Sequence, residues 1–510
     1  MNNSLLLRSL IMYAVCMLIA IFVGYHISTW DDMTSFGTLI AVLVLMSLPF
    51  LLKWHHFWLI LCWNMTAMVF FLPGRPTLTL VLAGFSLAIS LVEHGIKQEA
   101  PFIGVRSVFW PLIFLTCVVM ATAKLTGGIG LNIVGSANVG GKSYIYFLGG
   151  ILGYFALTAQ QIQRDKVLRY MNAYMLSPVT SIIGDIAQFA APSAIYYIFL
   201  IFPATAVTDT NTVVGPEQMA RLGGTAVASI AVAYAMAARY GLRGIFNGGR
   251  FWRAPVFLTL FVVSMFGGYR GTLVMFALTC GILFWLEGLF YSRLMPVLCC
   301  GIVLSMVLLV PLAEHLPLPI QRTLSVVPFL KVDEGAAGSA KASSDWRLQM
   351  WHEVIPEIPH YLLLGKGYSI NAEELEKVQT PGFSESGAAG AKLAGDYHNG
   401  PLSVIIPFGI WGVIGFLWLL GAGWRVLYRN YKYGDAAFQR INTYLFAAYI
   451  AKVIYFMAVF GSFASDMTGF LGMLGMSVAI NGGMRQPVHA PQKRASDAWK
   501  LAQARPVAVN

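Results

Sequence analysis

Three side chains in this sequence combine a reactive type with a setting that gives it work: Arg221 in EQMARLGGT, Arg270 in FGGYRGT and His398 in GDYHNGPLSVIIPFGIWG. An arginine suits a bound phosphate because its planar fork donates two hydrogen bonds and stays charged. The plainer reading is an arginine at the end of a membrane span that reaches out to lipid headgroups. Pro401 fits the first turn of a helix, which Asn399 or Gly400 can cap. His398 would then stand beside free backbone N–H groups, a natural place for an anion. There it can act as a base or hydrogen-bond a pyrophosphate, with Asp396 two residues earlier orienting the imidazole. An interfacial histidine without chemistry is the alternative.

The elements that must position these residues are membrane spans. Of 510 residues, 57% are hydrophobic and 11% charged, and the mean hydropathy is +0.67. A soluble domain carries roughly a quarter charged residues. Apolar runs fall near 9–27, 37–52, 57–72, 77–92, 109–122, 144–159, 178–202, 224–240, 255–268, 271–289, 294–313, 402–424, 443–460 and 467–482. They predict an all-α polytopic membrane protein of about fourteen helices, several of them shorter than the ~20 residues that cross a bilayer unaided. The pair 255–268 and 271–289 can form a tight hairpin. The first run, behind Arg8, is read as a retained span because no small-residue cleavage site follows it.

Placing the N-terminus inside and alternating puts 21 of the 34 Lys and Arg on inner segments and only 5 in short outer loops. A further 7 lie in one long outer segment, and Lys452 lies within a span. This asymmetry predicts that both termini are cytoplasmic. It also explains the net charge of +11 without nucleic acid. Arg221, Arg270, Arg347 and His398 all fall on the outer side.

The long outer segment, 314–401, holds eleven acidic and seven basic residues. Its stretch 333–345 (DEGAAGSAKASSD) reads as a flexible linker. SSDWRLQMWHEVIPEI then opens on Ser and Asp at capping positions and sets Trp346, Met350, Trp351 and Val354 near one helical face, suiting a helix at the membrane interface. A short helix is expected at NAEELEKV, followed by a mobile PGFSESGAAGAKLAG. The predicted units are an N-terminal bundle (1–204), helices bearing the outer arginines (205–313), the periplasmic loop (314–401), C-terminal helices (402–482) and a basic tail (483–510).

All six cysteines lie inside apolar runs, which argues against a disulfide framework or a zinc site. Intramembrane charges are costly, and Asp185 and Lys452 are candidates for an internal pair, with Asp466 and Glu287 nearer span ends. A proton-coupled lipid flippase would use such residues along a path. No internal repeat is evident, and the long outer segment favours an enzyme over a flippase or a non-catalytic scaffold.

RLGG at 221–224, YRG at 269–271, DWRLQMW at 345–351, LLGKG at 363–367 and HNGPL at 398–402 occur in the order seen in the O-antigen ligase and polymerase superfamily, which this chain resembles over roughly 205–425. The resemblance implies a GT-C-like, metal-independent, inverting glycosyltransferase at the periplasmic face of the bacterial inner membrane. Its donor is a glycan on undecaprenyl pyrophosphate. Its acceptor is lipid A-core or another surface molecule in a ligase, and a second lipid-linked repeat in a polymerase. It implies no cofactor, and partners among membrane lipids and other polysaccharide assembly proteins. By motif, Arg221 and Arg270 hold the pyrophosphate and His398 assists at the reacting centre with Arg270; by position, Arg347, Asp396 and Asn399 are candidates to support them. The Asn-Pro usual after the first arginine is absent here. Metal-dependent relatives of the same fold class use acidic residues in a first outer loop, where this chain has Asp31 and Asp32; a solvated turn is the plainer reading.

Overall fold

The computed structural model describes residues 3–29, 32–72, 75–96, 102–127, 141–190, 196–203, 207–209, 219–246, 248–368 and 395–487. These residues are helical apart from loops and two three-residue antiparallel strands, β1 (Val207–Asp209) and β2 (Met219–Arg221), in which Val207 pairs with Arg221. The first half contains α1 (Asn3–Ser28), α2 (Met33–Lys53), α3 (His55–Cys62), α4 (Leu78–Ile96), α5 (Arg106–Thr126), α6 (Gly141–Thr158), α7 (Val167–Leu176), α8 (Ile182–Ala190) and α9 (Tyr196–Ile201). The second contains α10 (Gly223–Phe246), α11 (Arg253–Ser264), α12 (Arg270–Leu286), α13 (Leu294–Leu312), α14 (Leu318–Leu324), α15 (Glu334–Val354), α16 (Ile358–Tyr361), α17 (Gly400–Tyr433), α18 (Gln439–Ala458) and α19 (Phe463–Asn481).

Eight helices among the described residues are long and apolar enough to cross a membrane, and three shorter apolar helices accompany them. The core is built where α19 lies along α6, α17 along α5 and α18 along α12. Small residues let the first pair approach closely, and Phe147 stacks on Phe463 with centroids 5.3 Å apart. Polar side chains in this core find partners across the helices. Asn442 and Asn481 exchange side-chain amide bonds of 3.1 and 2.8 Å, as a low-dielectric interior demands. By contrast α13 has no buried residue and α2 almost none; such faces suit lipid.

Two of the expected runs are not single helices. The run 57–72 is helical only to Cys62. Asn64 then donates to the Tyr174 carbonyl (2.9 Å), and Met68 bridges to Thr77, turning the chain into α4. The run 178–202 is divided between a 3-10 turn at Ser177–Ser181, α8 and α9. Apolar character records burial or lipid contact, and it does so for a folded-back segment as well as for a straight helix.

The stretch 333–345 is not a flexible linker but the first half of α15. Asp333 caps it, accepting from the N–H groups of Gly335 (2.8 Å) and Ala336 (3.2 Å). Its small residues Ala336, Ser339 and Ala340 are buried against α14. The helix therefore begins about ten residues before the expected Ser/Asp start. Trp346, Met350, Trp351 and Val354 do share a face, but it packs on Tyr397, Leu402 and Ile406 at the start of α17. The expected helix at NAEELEKV and the stretch PGFSESGAAGAKLAG lie outside the described residues.

The intramembrane charges pair otherwise than expected. Lys452 joins Asp466 (2.6 Å), whereas Asp185 accepts from the backbone N–H and hydroxyl of Thr225 (2.7 and 3.1 Å) at the start of α10. Lys452 and Asp466 flank the loop joining α18 to α19, and the reversal of the chain there brings them together. Glu287 accepts from the N–H groups of Leu242 (2.9 Å) and Arg243 (2.8 Å), which the break at Gly241 (φ 66°) in α10 leaves free. Asp32 caps α2, accepting from Ser35 N–H (3.2 Å); Asp31 is outside the described residues.

Helix ends gather in two groups. The starts of α10, α12, α17 and α19 meet the end of α18 and the segment 318–368. The end of α12 meets the end of α10 at Glu287, and Arg164 reaches Asp435 (3.2 Å) beside α18's start.

Candidate active site

The first group of ends carries the site. α11 and α12 form the tight hairpin expected, closed by the turn Met265–Tyr269, in which Gly268 adopts a left-handed conformation (φ 65°). Arg270 follows directly as the first residue of α12. Its Nη2 donates to the carbonyl of Ala340 (2.8 Å) and the hydroxyl of Ser344 (2.9 Å), both on α15. These acceptors are neutral, and among the described residues no carboxylate forms an ion pair with Arg270.

His398 lies at the entry to α17, where Asn399 is the cap and accepts from Leu402 N–H (3.1 Å). Its backbone is left-handed (φ 50°). A non-glycine residue held this way costs roughly 1–3 kcal/mol, and such strain gathers at functional sites. The conformation folds the ring back onto Asp396. Nδ1 lies 3.2 Å from Asp396 Oδ1 and 3.1 Å from the Asp396 carbonyl oxygen. Both are acceptors, so Nδ1 carries a proton and the lone pair of the neutral ring belongs to Nε2. Trp346 and Phe460 hold the ring edge-to-face at 5.2 and 5.0 Å. Burial alone would raise the Asp396 carboxyl, but the hydrogen bonds and charge of His398, with the Ser462 hydroxyl, outweigh it and hold the carboxyl below its ordinary range.

Arg347 joins this group. Its guanidinium lies over the rings of Trp346 (5.7 Å) and Phe460 (5.6 Å), the same two that clamp His398. Burial, and then the positive charge of Arg270, push its pKa below the usual arginine value, with Tyr455 and Asp396 acting in the opposite sense. Its Nε is buried without a hydrogen-bond partner among the described residues. A buried donor left so costs about 1–3 kcal/mol. Two arginines thus share one neighbourhood with unsatisfied donor capacity, an arrangement that favours an anion with several oxygens.

Arg221 is placed differently. It ends β2, is 9% exposed, donates from Nε to the Gly267 carbonyl (3.1 Å) and stacks on Tyr269 at 4.4 Å. Its guanidinium braces the turn before Arg270. Sequence reasoning singled out neither Arg322, buried in α14 and bonded to Ser339 Oγ (2.9 Å) and to the Gly268 carbonyl, nor Phe460 and Tyr455 from the end of α18. Arg322 is one of seven basic residues in the long outer segment, and QRTL bears no motif to lift it above them. Phe460 and Tyr455 sit in an apolar run where aromatics are common.

The LLGKG stretch has a structural task. α17 breaks at Gly409 (φ 60°), two residues after Pro407, and the freed carbonyls of Ile406 and Pro407 accept from Lys366 N–H (2.8 Å) and Gly367 N–H (2.9 Å). Ile410 N–H returns to the Leu362 carbonyl (2.7 Å). Gly365 and Gly367 are left-handed (φ 74° and 68°), and a Cβ on Gly365 would run into the Pro407 carbonyl. The end of the long segment is thereby pinned to the helix that carries His398.

Residues 255–417 match the family model described as O-antigen ligase. No curated protein matches the chain. The matched stretch contains Arg270, Arg322, Arg347, Asp396 and His398, and Arg221 precedes it. Carried by a bundle of helices long and apolar enough to cross a membrane, this stretch is similar to the O-antigen ligase and polymerase superfamily, whose members are glycosyltransferase-like enzymes of surface polysaccharide synthesis.

Proposed function

We propose that this protein is a glycosyltransferase working at the periplasmic face of the bacterial inner membrane. It moves a glycan from undecaprenyl pyrophosphate to an acceptor, in the manner of an O-antigen ligase with lipid A-core or another surface molecule as acceptor. One observation carries the reading: Arg270, Arg347 and the His398–Asp396 pair converge on one end of the bundle, within the matched residues.

In this scheme His398 Nε2 takes the proton of the acceptor hydroxyl as that oxygen attacks the anomeric carbon. The bond from that carbon to the pyrophosphate oxygen breaks on the opposite side, which inverts the centre. Asp396 keeps the imidazole in the tautomer that can accept and steadies the imidazolium that forms. Negative charge grows on the departing pyrophosphate, and Arg270 and Arg347 stabilise it in a water-poor site. Their fixed charges supply what a divalent cation supplies elsewhere, so the reaction as proposed needs no metal. The geometry supports Arg347, rather than Arg221, as the partner of Arg270.

The test measures glycan transfer in membranes that retain normal amounts of protein. His398→Ala, Arg270→Ala and Arg347→Ala should each abolish most transfer. Normal rates in His398→Ala would overturn the site, and loss in Arg221→Ala with full activity in Arg347→Ala would reverse the arginine assignment. Glycans of a deletion strain identify the acceptor. Full-length polymer stranded on the carrier marks a ligase; single repeats, on the carrier or already transferred, mark a polymerase.

A further inference from the structure

We infer that Arg322 is a positioning residue for Arg270, fixing the Met265–Tyr269 turn so that the guanidinium of Arg270 is presented beside Arg347. The inference rests on the proposed role of Arg270 as a pyrophosphate ligand.

Four successive carbonyls of this turn each accept a hydrogen bond from outside it. Met265 O accepts from the Thr323 hydroxyl (3.1 Å), Phe266 O from Leu222 N–H (3.0 Å), Gly267 O from Arg221 Nε (3.1 Å) and Gly268 O from Arg322 Nη1. Arg322 and Thr323 are neighbours on α14, so one turn of that helix grips both ends of the carbonyl run. The same guanidinium donates from Nε to Ser339 on α15 (2.9 Å). Ser339 directly precedes Ala340, whose carbonyl holds the Arg270 guanidinium. Arg322 therefore fixes Arg270 twice: its backbone through Gly268, and its side-chain acceptors through α15.

A charge that is only 6% exposed is retained where its geometry is used, because its desolvation is costly. The bonds to Ser339 and to the Gly268 carbonyl route the effect of Arg322 on a bound pyrophosphate through Arg270. A residue that acts through another shows a thermodynamic signature: its substitution matters only while the other is present.

The experiment measures binding of undecaprenyl pyrophosphate to the full chain in lipid nanodiscs. Arg322→Ala should weaken binding about tenfold, and so should Arg270→Ala, the loss expected for a charge-assisted hydrogen bond. The double variant Arg322→Ala/Arg270→Ala should bind within about twofold of Arg270→Ala alone, whereas Arg322→Ala/Arg347→Ala should lose more than either single change. If Arg322→Ala binds as the wild type does, or weakens binding equally with and without Arg270, the inference is overturned while the pyrophosphate site stands. If Arg270→Ala itself binds normally, the pyrophosphate reading fails and takes the inference with it. Should Arg322→Ala not fold, Ser339→Ala removes one of its anchors with a smaller perturbation; about threefold weaker binding that vanishes in the Arg270→Ala background supports the inference, and normal binding overturns it.

Discussion

His398 and Asp396 are two residues apart and face each other, with Nδ1 3.2 Å from Oδ1, because the histidine backbone turns left-handed at φ 50°. An extended backbone would space the two along one face by about 6.5–7 Å, a gap that the turn closes. The pair is thus made by local strain, and Trp346 and Phe460 keep the ring where the strain puts it. If the ring is the base, His398→Ala should lower the transfer rate by roughly 10²–10⁴-fold, and Asp396→Ala by a smaller factor, because water can still hold Nδ1. Initial rates at equal protein level measure both.

The same carboxylate predicts a pH effect. The folded pKa of Asp396 is depressed, so its contribution to stability is fully present above the unfolded carboxylate value of about 3.9 and is lost as pH falls through the lower folded value. Melting temperatures of wild type and Asp396→Asn should differ at neutral pH and converge below about pH 4. A constant difference down to low pH would count against an ionised Asp396 in the folded state.

Arg270 and Arg347 press on each other without an ion-pairing carboxylate among the described residues, so a bound pyrophosphate should relieve the repulsion. Inorganic pyrophosphate at a hundred times its Kd should stabilise the wild type by about 2.7 kcal/mol. Arg347→Ala should show little of this shift in melting temperature at the same concentration. Equal stabilisation of the variant would place the anion elsewhere.

The break in α17 predicts a loss at a distance from the chemistry. Gly409→Ala puts a Cβ on a left-handed backbone about as far from the Leu362 carbonyl as 2.5 Å, and should destabilise the protein by roughly 1–3 kcal/mol. Because Leu362–Gly367 is pinned there, limited proteolysis within 362–368 should quicken in the variant. Unchanged cleavage would mean that the segment is held by other contacts.

Glu287 and Lys452 separate structural charge from transport. Glu287→Ala frees the N–H groups of Leu242 and Arg243 and should cost about 1–3 kcal/mol in stability with pyrophosphate binding intact, since it lies at the opposite group of helix ends. Lys452→Met strands Asp466 and should destabilise by about 3–5 kcal/mol, while Lys452→Met/Asp466→Asn should recover most of that. If the double variant folds well yet transfers nothing, the pair serves the mechanism rather than the fold.

Much of this protein is written in local sequence. The apolar runs and the one-sided placement of Lys and Arg specify a helical membrane protein, since burial in lipid and charge translocation act segment by segment. HNGPL specifies a capped helix entry, and FGGYRGT a tight hairpin with arginine at its exit. Tertiary structure decided the rest. It made 333–345 a helix, because Ala336, Ser339 and Ala340 found α14 to pack on, which composition alone does not reveal. It paired Lys452 with Asp466 and gave Asp185 to Thr225. It set Arg347 beside Arg270 and His398 and stacked Arg221 on Tyr269 at the turn that leads into Arg270, placements that depend on which helices meet. Charge and motif restrict an arginine to one side of the membrane; only packing selects which arginines share a site.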